Sequence, residues 1–403
     1  MQLVSRAVTL IVWLVAAFAA CTRVESAGAP PDVSVGADGF GGEAQGGSGS
    51  AAGEAGQEQG GSGISSAGAP GGIEIGIWPT FARSEQGGDA EAVLASIAAL
   101  SAGSSALPIY ERWDALSGAT GSPRAITWDR LDLMFAPYRE RGKGLALCIG
   151  IVDRTSPAWP FVGALDSDAA RAAIERTIDE VFAHYGPQLR HLCFGYEVDR
   201  YLAEASSAEQ AELLAFLEHA ITYASAYTEE YQQTALGVAV TLAAAGDVGT
   251  LSELVLGDEL VVVYDALGED GALESSDAVT SELTAAFETL QALEDGPKPL
   301  MLFEAGYPSG AGAGSSEEEQ QAHYEALFSA LEGHTNEVAF VGLFGLGDRS
   351  APDCEMEALA FGAAQQDQTE ERALARCSMG LRAETGEPKL AWTSVLQALS
   401  RYR

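Results

Sequence analysis

Eight short apolar runs, separated by stretches with helical periodicity, are the feature that most limits how this 403-residue chain can fold. Such runs, rich in β-branched residues, are typical of buried strands. They cover residues 73–77, 107–110, 145–152, 190–194, 236–242, 260–264, 300–303 and 338–344. Between them, apolar residues recur every three or four positions, which predicts helices. The predicted helices cover 89–100, 127–140, 169–185, 208–231, 277–293 and 317–331.

Strands that alternate with helices indicate βαβ units and a parallel sheet, so the fold class is α/β. Eight such units within residues 73–403 fit a (β/α)8 TIM barrel better than a doubly wound open sheet. The connection between the fifth and sixth strands is short, so we expect a weak helix there.

Residues 1–20 combine a basic head with an apolar run that is too short to span a bilayer comfortably, which predicts a signal peptide. The run ends in Phe18-Ala19-Ala20-Cys21, which resembles the bacterial lipobox, where the cysteine is acylated. That resemblance implies a lipoprotein of the cell envelope that touches the membrane only through its lipid anchor. Thr22 in place of Asp favours the outer membrane; ordinary cleavage and secretion is the alternative.

Residues 21–72 are rich in Gly, Ser and Ala and carry few large apolar side chains. Such a segment cannot bury enough surface to offset its ordering entropy. We therefore expect a disordered, flexible linker that joins Cys21 to the barrel domain at 73–403.

The chain is strongly acidic, with 58 Asp and Glu against 22 Lys and Arg and a formal net charge of −36. Nucleic-acid binding is excluded because it depends on Lys and Arg at the phosphates. The same charge argues against acidic polymers and anionic membrane surfaces. The five His residues lack metal-ligand spacing, so we expect no metal and no cofactor.

In a (β/α)8 barrel, functional residues lie at the C-terminal ends of the strands. Carboxylates and aromatic residues follow several of the predicted strands. These are Trp78, Trp113, Trp159, Tyr196, Glu197, Asp199, Tyr264, Glu304 and Tyr307. Two carboxyl groups that face each other can divide glycosidic cleavage, one donating a proton and the other attacking the sugar. Glu197 and Glu304 are the candidate pair because each directly ends an apolar strand.

Each of these residues also has a simpler interpretation. A strand-end Glu is often an ion-pair partner, here of Arg112, Arg154 or Arg200. The tryptophans Trp78, Trp113 and Trp159 could stack on sugar rings or pack within loops.

Two segments carry a resemblance to a known group of enzymes. Gly195-Tyr196-Glu197-Val198 and Phe303-Glu304-Ala305-Gly306-Tyr307-Pro308-Ser309 resemble the signatures of clan A glycoside hydrolases. The plant-type β-1,3-glucanases and arabinogalactan endo-β-galactanases are most similar. The resemblance implies a retaining hydrolase of β-linked glycans, with Glu197 as acid/base and Glu304 as nucleophile. It also implies that Tyr264 hydrogen-bonds the nucleophile.

The chain departs from that pattern at two positions. The asparagine that precedes the acid/base in the clan is Tyr196 here, and the tryptophan after strand eight has no match, Phe344 or Leu346 lying nearest. A non-catalytic glycan-binding barrel and a surface lipoprotein without a sugar ligand therefore remain alternatives.

The substrate-binding candidates are Trp78, Trp113, Trp159, Tyr196, Asp199, Tyr264 and Tyr307. The acidity of the domain favours a neutral polysaccharide or oligosaccharide, and we expect a monomer.

Cysteine positions suggest two pairings. Cys148 and Cys193 lie within strands three and four and could be small core residues or a bonded pair. Cys354 and Cys377 flank a segment after strand eight, where an oxidising compartment would allow a disulfide.

Overall fold

Eight parallel strands form the centre of the molecule in a computed structural model. The structure describes residues 73–79, 103–117 and 128–402, except 162, 253, 255–256, 269–271, 294–295 and 350–373. The barrel strands are β1 (Glu74–Ile77), β2 (Ala106–Arg112), β3 (Gly144–Asp153), β4 (Leu189–Tyr196), β5 (Ala235–Thr241), β6 (Glu259–Tyr264), β7 (Leu300–Ala305) and β8 (Val338–Leu343). Each coincides with one of the eight predicted runs, which confirms the predicted α/β barrel.

The strands pair in the order β1-β8-β7-β6-β5-β4-β3-β2, so β1 and β2 meet at the seam of the sheet. Ser105 bridges the seam. Its backbone N–H donates to Ile75 O at 2.7 Å, and its Oγ accepts from Ile75 N at 3.3 Å. The sheet is therefore a nearly closed barrel. A two-residue strand, Ser156–Pro157, adds antiparallel to β3.

Helices surround the strands. Those in the described part of the chain are α1 (Trp113–Ser117), α2 (Asp129–Arg139), α3 (Asp168–Tyr185), α4 (Val198–Glu204), α5 (Ser207–Thr228), α6 (Leu242–Ala245), α7 (Val248–Ser252), α8 (Ala278–Ala292), α9 (Glu317–Glu332) and α10 (Leu390–Arg401). Five predicted helices correspond to α2, α3, α5, α8 and α9, and the weak connection after β5 contains the short α6 and α7. The helix predicted at 89–100 lies outside the described residues.

The barrel interior is filled by small side chains and a few large ones. Ala106, Ala146, Cys148, Cys193 and Ala239 lie there with Val261, Met301, Phe303 and Phe340. Cys148 and Cys193 are opposite each other in the register of β3 and β4 and form a disulfide. The interior is thus a packed core, and space for a ligand has to come from the loops at the strand ends.

The predicted signal peptide and linker, residues 1–72, lie outside the described residues, so their boundaries stay predictions. In the part of the chain that the structure describes, no helix is both long enough and apolar enough to cross a membrane.

Candidate active site

The backbone turns sharply where β4 ends. Gly195 has φ +76° and Glu197 has φ +52°, whereas positive φ is uncommon for a residue with a side chain. Arg154, which follows β3, has φ +55°. Among the described residues, Glu197 and Arg154 are the two with positive φ that are not glycine. The Arg154 N–H donates to Tyr196 O at 2.9 Å, which joins the two turns. Strained backbone of this kind is often found at functional sites.

Two guanidinium groups hold the Glu197 carboxylate. Its Oε1 lies 3.1 Å from Arg154 Nη2, and its Oε2 lies 2.8 Å from Arg200 Nε. The side chain is fully buried. Burial raises the pKa of Glu197, Arg154 and Arg200 oppose that rise, and Asp265 adds to it. The expected ion-pair partners Arg154 and Arg200 are therefore confirmed, and they bind the same carboxylate.

Glu304 lies in β7 and is 5% exposed. Its Oε2 accepts a hydrogen bond from the Tyr196 hydroxyl at 2.5 Å, and its Oε1 lies 3.9 Å from Arg376 Nη2. Burial raises the pKa of Glu304, whereas Arg376 and the Tyr196 hydrogen bond lower it. Both groups favour the ionised carboxylate.

Three arginines and three acids lie together at this end of the barrel. Arg154 and Arg200 each contact both Glu197 and Asp265, whereas Arg376 and Glu304 form a neighbouring pair that interacts electrostatically with Glu197. This mouth cluster consists of Arg154, Arg200 and Arg376 with Glu197, Asp265 and Glu304. It contains equal numbers of basic and acidic side chains, within a strongly acidic protein. Sequence reasoning missed Arg376, which comes from a segment far beyond β8 and follows no strand.

Tyr264 does not hydrogen-bond Glu304, and the role implied for it was wrong. Its hydroxyl lies 3.5 Å from Glu274 Oε2, and its ring stacks on His323 with centroids 5.2 Å apart. Tyr196 makes the bond to Glu304 instead. The reason is reach, because a tyrosine at the end of β4 is long enough to cross the barrel to β7.

The three tryptophans have different environments. Trp78 is partly buried, and its Nε1 donates to Phe303 O at 3.1 Å, beside the strand that carries Glu304. Trp159 is partly exposed and stacks on Phe161. Trp113 is fully buried, and its Nε1 donates to Thr177 Oγ1 at 2.9 Å. The prediction that Trp113 stacks on a sugar was wrong, because it begins α1 and turns into the core.

Two other predicted substrate contacts use their polar atoms within the protein. The Asp199 carboxylate accepts from Thr241 N and Thr241 Oγ1 at 2.8 and 2.7 Å, which fixes the end of β5. The buried Tyr307 hydroxyl donates to Glu274 O at 2.7 Å. These contacts give both residues a structural role and leave a role in sugar binding as a prediction.

Other predicted sites fall partly outside the described residues. Cys377 is in a disulfide, but its predicted partner Cys354 and the lipidation site Cys21 lie outside that part of the chain. Among the described residues, no group of three or more His, Cys, Asp and Glu side chains is arranged to hold a metal ion.

Comparison with solved structures shows which proteins share this fold. A GH5_18 variant from Bifidobacterium longum subsp. longum in complex with Manb1-4GlcNAc has a TM-score of 0.60 at 14% identity, over 82% of this chain and 78% of that one. An exo-beta-1,4-mannosidase from Opitutaceae bacterium strain TAV5 has a TM-score of 0.57 at 14% identity, over 84% and 61%. A GH5_18 protein from Streptomyces cattleya in complex with GlcNAc has a TM-score of 0.59 at 13% identity, over 82% and 80%.

These similarities establish the fold. The chain has a (β/α)8 barrel like that of these solved structures, as its alternating strands and helices predicted. The sequence matches no protein-family model and no curated protein.

Proposed function

We propose that the chain is a glycoside hydrolase that cleaves a neutral β-linked polysaccharide or oligosaccharide. The observation that carries this proposal is a pair of buried carboxyl groups that interact electrostatically. Glu197 directly follows β4, Glu304 lies in β7, and each is contacted by arginine. Burial raises the pKa of both carboxyl groups, as general acid chemistry requires of one of them. A neutral β-linked substrate is supported by the net charge of −36, which repels anionic polymers, and by the Manb1-4GlcNAc bound to a protein of the same fold.

The two carboxyl groups divide the proposed reaction. Glu197 gives its proton to the glycosidic oxygen as the bond to the anomeric carbon breaks, and the ionised Glu304 attacks that carbon. The resulting glycosyl ester is hydrolysed by water, whose proton returns to Glu197. Tyr196 and Arg376 suit the nucleophile because they stabilise Glu304 as an anion. Both carboxyl groups are buried, so sugar binding requires side chains around them to move.

Single substitutions test the pair. Wild type, Glu197→Gln, Glu304→Gln and the exposed control Glu318→Gln are compared on neutral β-linked oligosaccharides of mannose, glucose and galactose. We expect Glu304→Gln to abolish cleavage, Glu197→Gln to slow it by roughly 10²–10⁴-fold, and the control to match wild type. NMR of the first product should show the β anomer. An α anomer would contradict the retaining mechanism, and a wild type that cleaves nothing would contradict the hydrolase.

A non-catalytic glycan-binding barrel is the second candidate. It is favoured by Tyr196 in place of the clan's asparagine and by the complete burial of Glu197 between two guanidiniums. Calorimetry with the same oligosaccharides separates the two functions. Binding that is equally tight in wild type and Glu304→Gln, without cleavage by either, would support this candidate.

We also propose that Cys21 is acylated and tethers the barrel to the outer membrane. In a bacterial host, the full chain should partition into the detergent phase and carry a fatty-acyl label. Cys21→Ser should remove the label and move the protein to the aqueous phase, whereas Cys377→Ser should leave the label in place. An unlabelled wild type in the medium would instead support secretion.

A further inference from the structure

Asp265 follows β6 and has no part in the reaction described above, although it lies inside the mouth cluster. Its Oδ2 is 3.2 Å from Arg154 Nη2 and 3.6 Å from Arg200 Nη2, and its side chain is 7% exposed. These are the same two guanidiniums that contact the oxygens of Glu197 at 3.1 and 2.8 Å. Two buried carboxylates therefore share one pair of cations.

Because Asp265 and Glu197 share two guanidiniums, Asp265 affects whether Glu197 can keep the proton that it donates in the proposed mechanism. A carboxyl group that receives the full attraction of two adjacent guanidiniums is strongly stabilised as an anion and is a poor proton donor at neutral pH. A second carboxylate on the same cations weakens that stabilisation in two ways. It uses part of their hydrogen-bonding capacity, and its own negative charge opposes ionisation of the first group.

The geometry keeps Asp265 in this position. Its Oδ1 accepts from Leu267 N at 3.2 Å, so the loop after β6 orients the carboxylate. Arg154 is held in a left-handed backbone conformation, and its Nη2 lies within 3.2 Å of an oxygen of each carboxylate. A left-handed backbone conformation persists only where surrounding contacts maintain it. For Arg154, these contacts include the one with Asp265.

We propose that Asp265 is a positioning residue for the acid/base: by binding the same two guanidiniums as Glu197, it keeps a proton on that carboxyl group at neutral pH. The inference rests on the hydrolase function proposed above. The other charged or titratable groups that face Glu197 or the residues it contacts are Arg154, Arg200, Arg376, Glu304 and Tyr196.

Carboxyl ¹³C NMR of glutamate-labelled protein tests the proposal without requiring activity. The Glu197 signal is assigned by its absence in Glu197→Gln, and its titration midpoint is compared in wild type and Asp265→Asn. The asparagine keeps the acceptor for Leu267 N and removes the charge. We expect the Glu197 midpoint to fall by about one pH unit in Asp265→Asn, because both guanidiniums then pair with the Glu197 carboxylate alone. An unchanged or higher midpoint would overturn the proposal.

A matched control distinguishes this effect from general loss of charge in the barrel. Asp153→Asn also removes a buried, arginine-paired carboxylate from a strand end, but its partner Arg112 retains Asp114 at 2.9 Å. The Glu197 midpoint should not move in this variant, and an equal shift would overturn the proposal. Asp265→Ser provides a second neutral side chain should Asp265→Asn fail to fold.

A double variant tests whether the arginines carry the effect. In an Arg200→Gln background, Asp265→Asn should shift the midpoint by less than it does in wild type, because one shared cation is missing. An undiminished shift would mean that Asp265 acts by repulsion alone, which contradicts the sharing.

The pH profile of hydrolysis links the result to function. For a substrate with a poor leaving group, the alkaline limb should move down by about one pH unit in Asp265→Asn, which lowers the rate there by about tenfold. If wild type hydrolyses nothing, the proposed function fails, whereas the NMR midpoints still decide whether Asp265 controls the Glu197 proton.

Discussion

Tyr196 stands directly before Glu197, where the resemblance to clan A enzymes implied an asparagine, and its hydroxyl lies 2.5 Å from Glu304 Oε2. Its ring packs 4.6 Å from that of Tyr110 inside the barrel. The sequence predicted where Glu197 and Glu304 lie because strand ends can be read from apolar runs. It did not predict the partner of Tyr196, because that depends on the width of the barrel and on the neighbouring ring.

His323 on α9 provides a prediction about acid stability. Its ring is fully buried between Tyr264 and Tyr307, with centroids 5.2 and 4.9 Å away, and burial lowers its pKa to about 3. An unfolded histidine titrates near pH 6.5, so below that pH the unfolded chain binds a proton that the folded chain does not. This residue should therefore cost about 1.4 kcal/mol of stability for each pH unit from about 6.5 down towards 3.

Urea unfolding between pH 7 and pH 4.5 measures the effect. His323→Phe should lose stability less steeply with falling pH than wild type does, whatever its stability at pH 7. His184→Phe alters an exposed histidine and should keep the wild-type slope. Equal slopes in wild type and His323→Phe would show that His323 is protonated in the folded state.

At the scale of the element, the strands were the most predictable part of the molecule. Parallel strands are buried on both faces, so each is a continuous apolar run. The structure extends β2 to Arg112 and β3 to Asp153, beyond the predicted ends at 110 and 152. These last residues are polar and join the sheet through backbone hydrogen bonds, which hydrophobicity does not reveal.

Contacts between elements were less predictable. Sequence order shows that Trp113 follows a strand, but not that the chain enters α1 there and turns the ring towards Thr177 on α3. Likewise, Cys148 and Cys193 were assigned to neighbouring strands, and whether they pair depends on a register that composition does not determine. Direction and register are properties of the assembled sheet.

At the scale of the whole molecule, the distribution of charge matters more than its total. The chain has a formal net charge of −36, yet the mouth cluster pairs three arginines with three acids. An anionic sugar would meet a strongly negative protein whose nearby guanidiniums already contact carboxylates. This arrangement supports the neutral substrate proposed above over an acidic polymer.

The excess negative charge also predicts how the fold responds to salt. Like charges on the surface repel one another in the compact state, and ions screen that repulsion over a Debye length of about 10 Å at 0.1 M and about 3 Å at 1 M. The buried pairs of the mouth cluster are screened much less, so salt should relieve the repulsion without removing these attractions. We therefore expect the Tm to rise between low and molar NaCl. KCl should raise it similarly, and glucose at equal osmolality should raise it less. A Tm that falls with NaCl would show that screened attractions outweigh the surface repulsion.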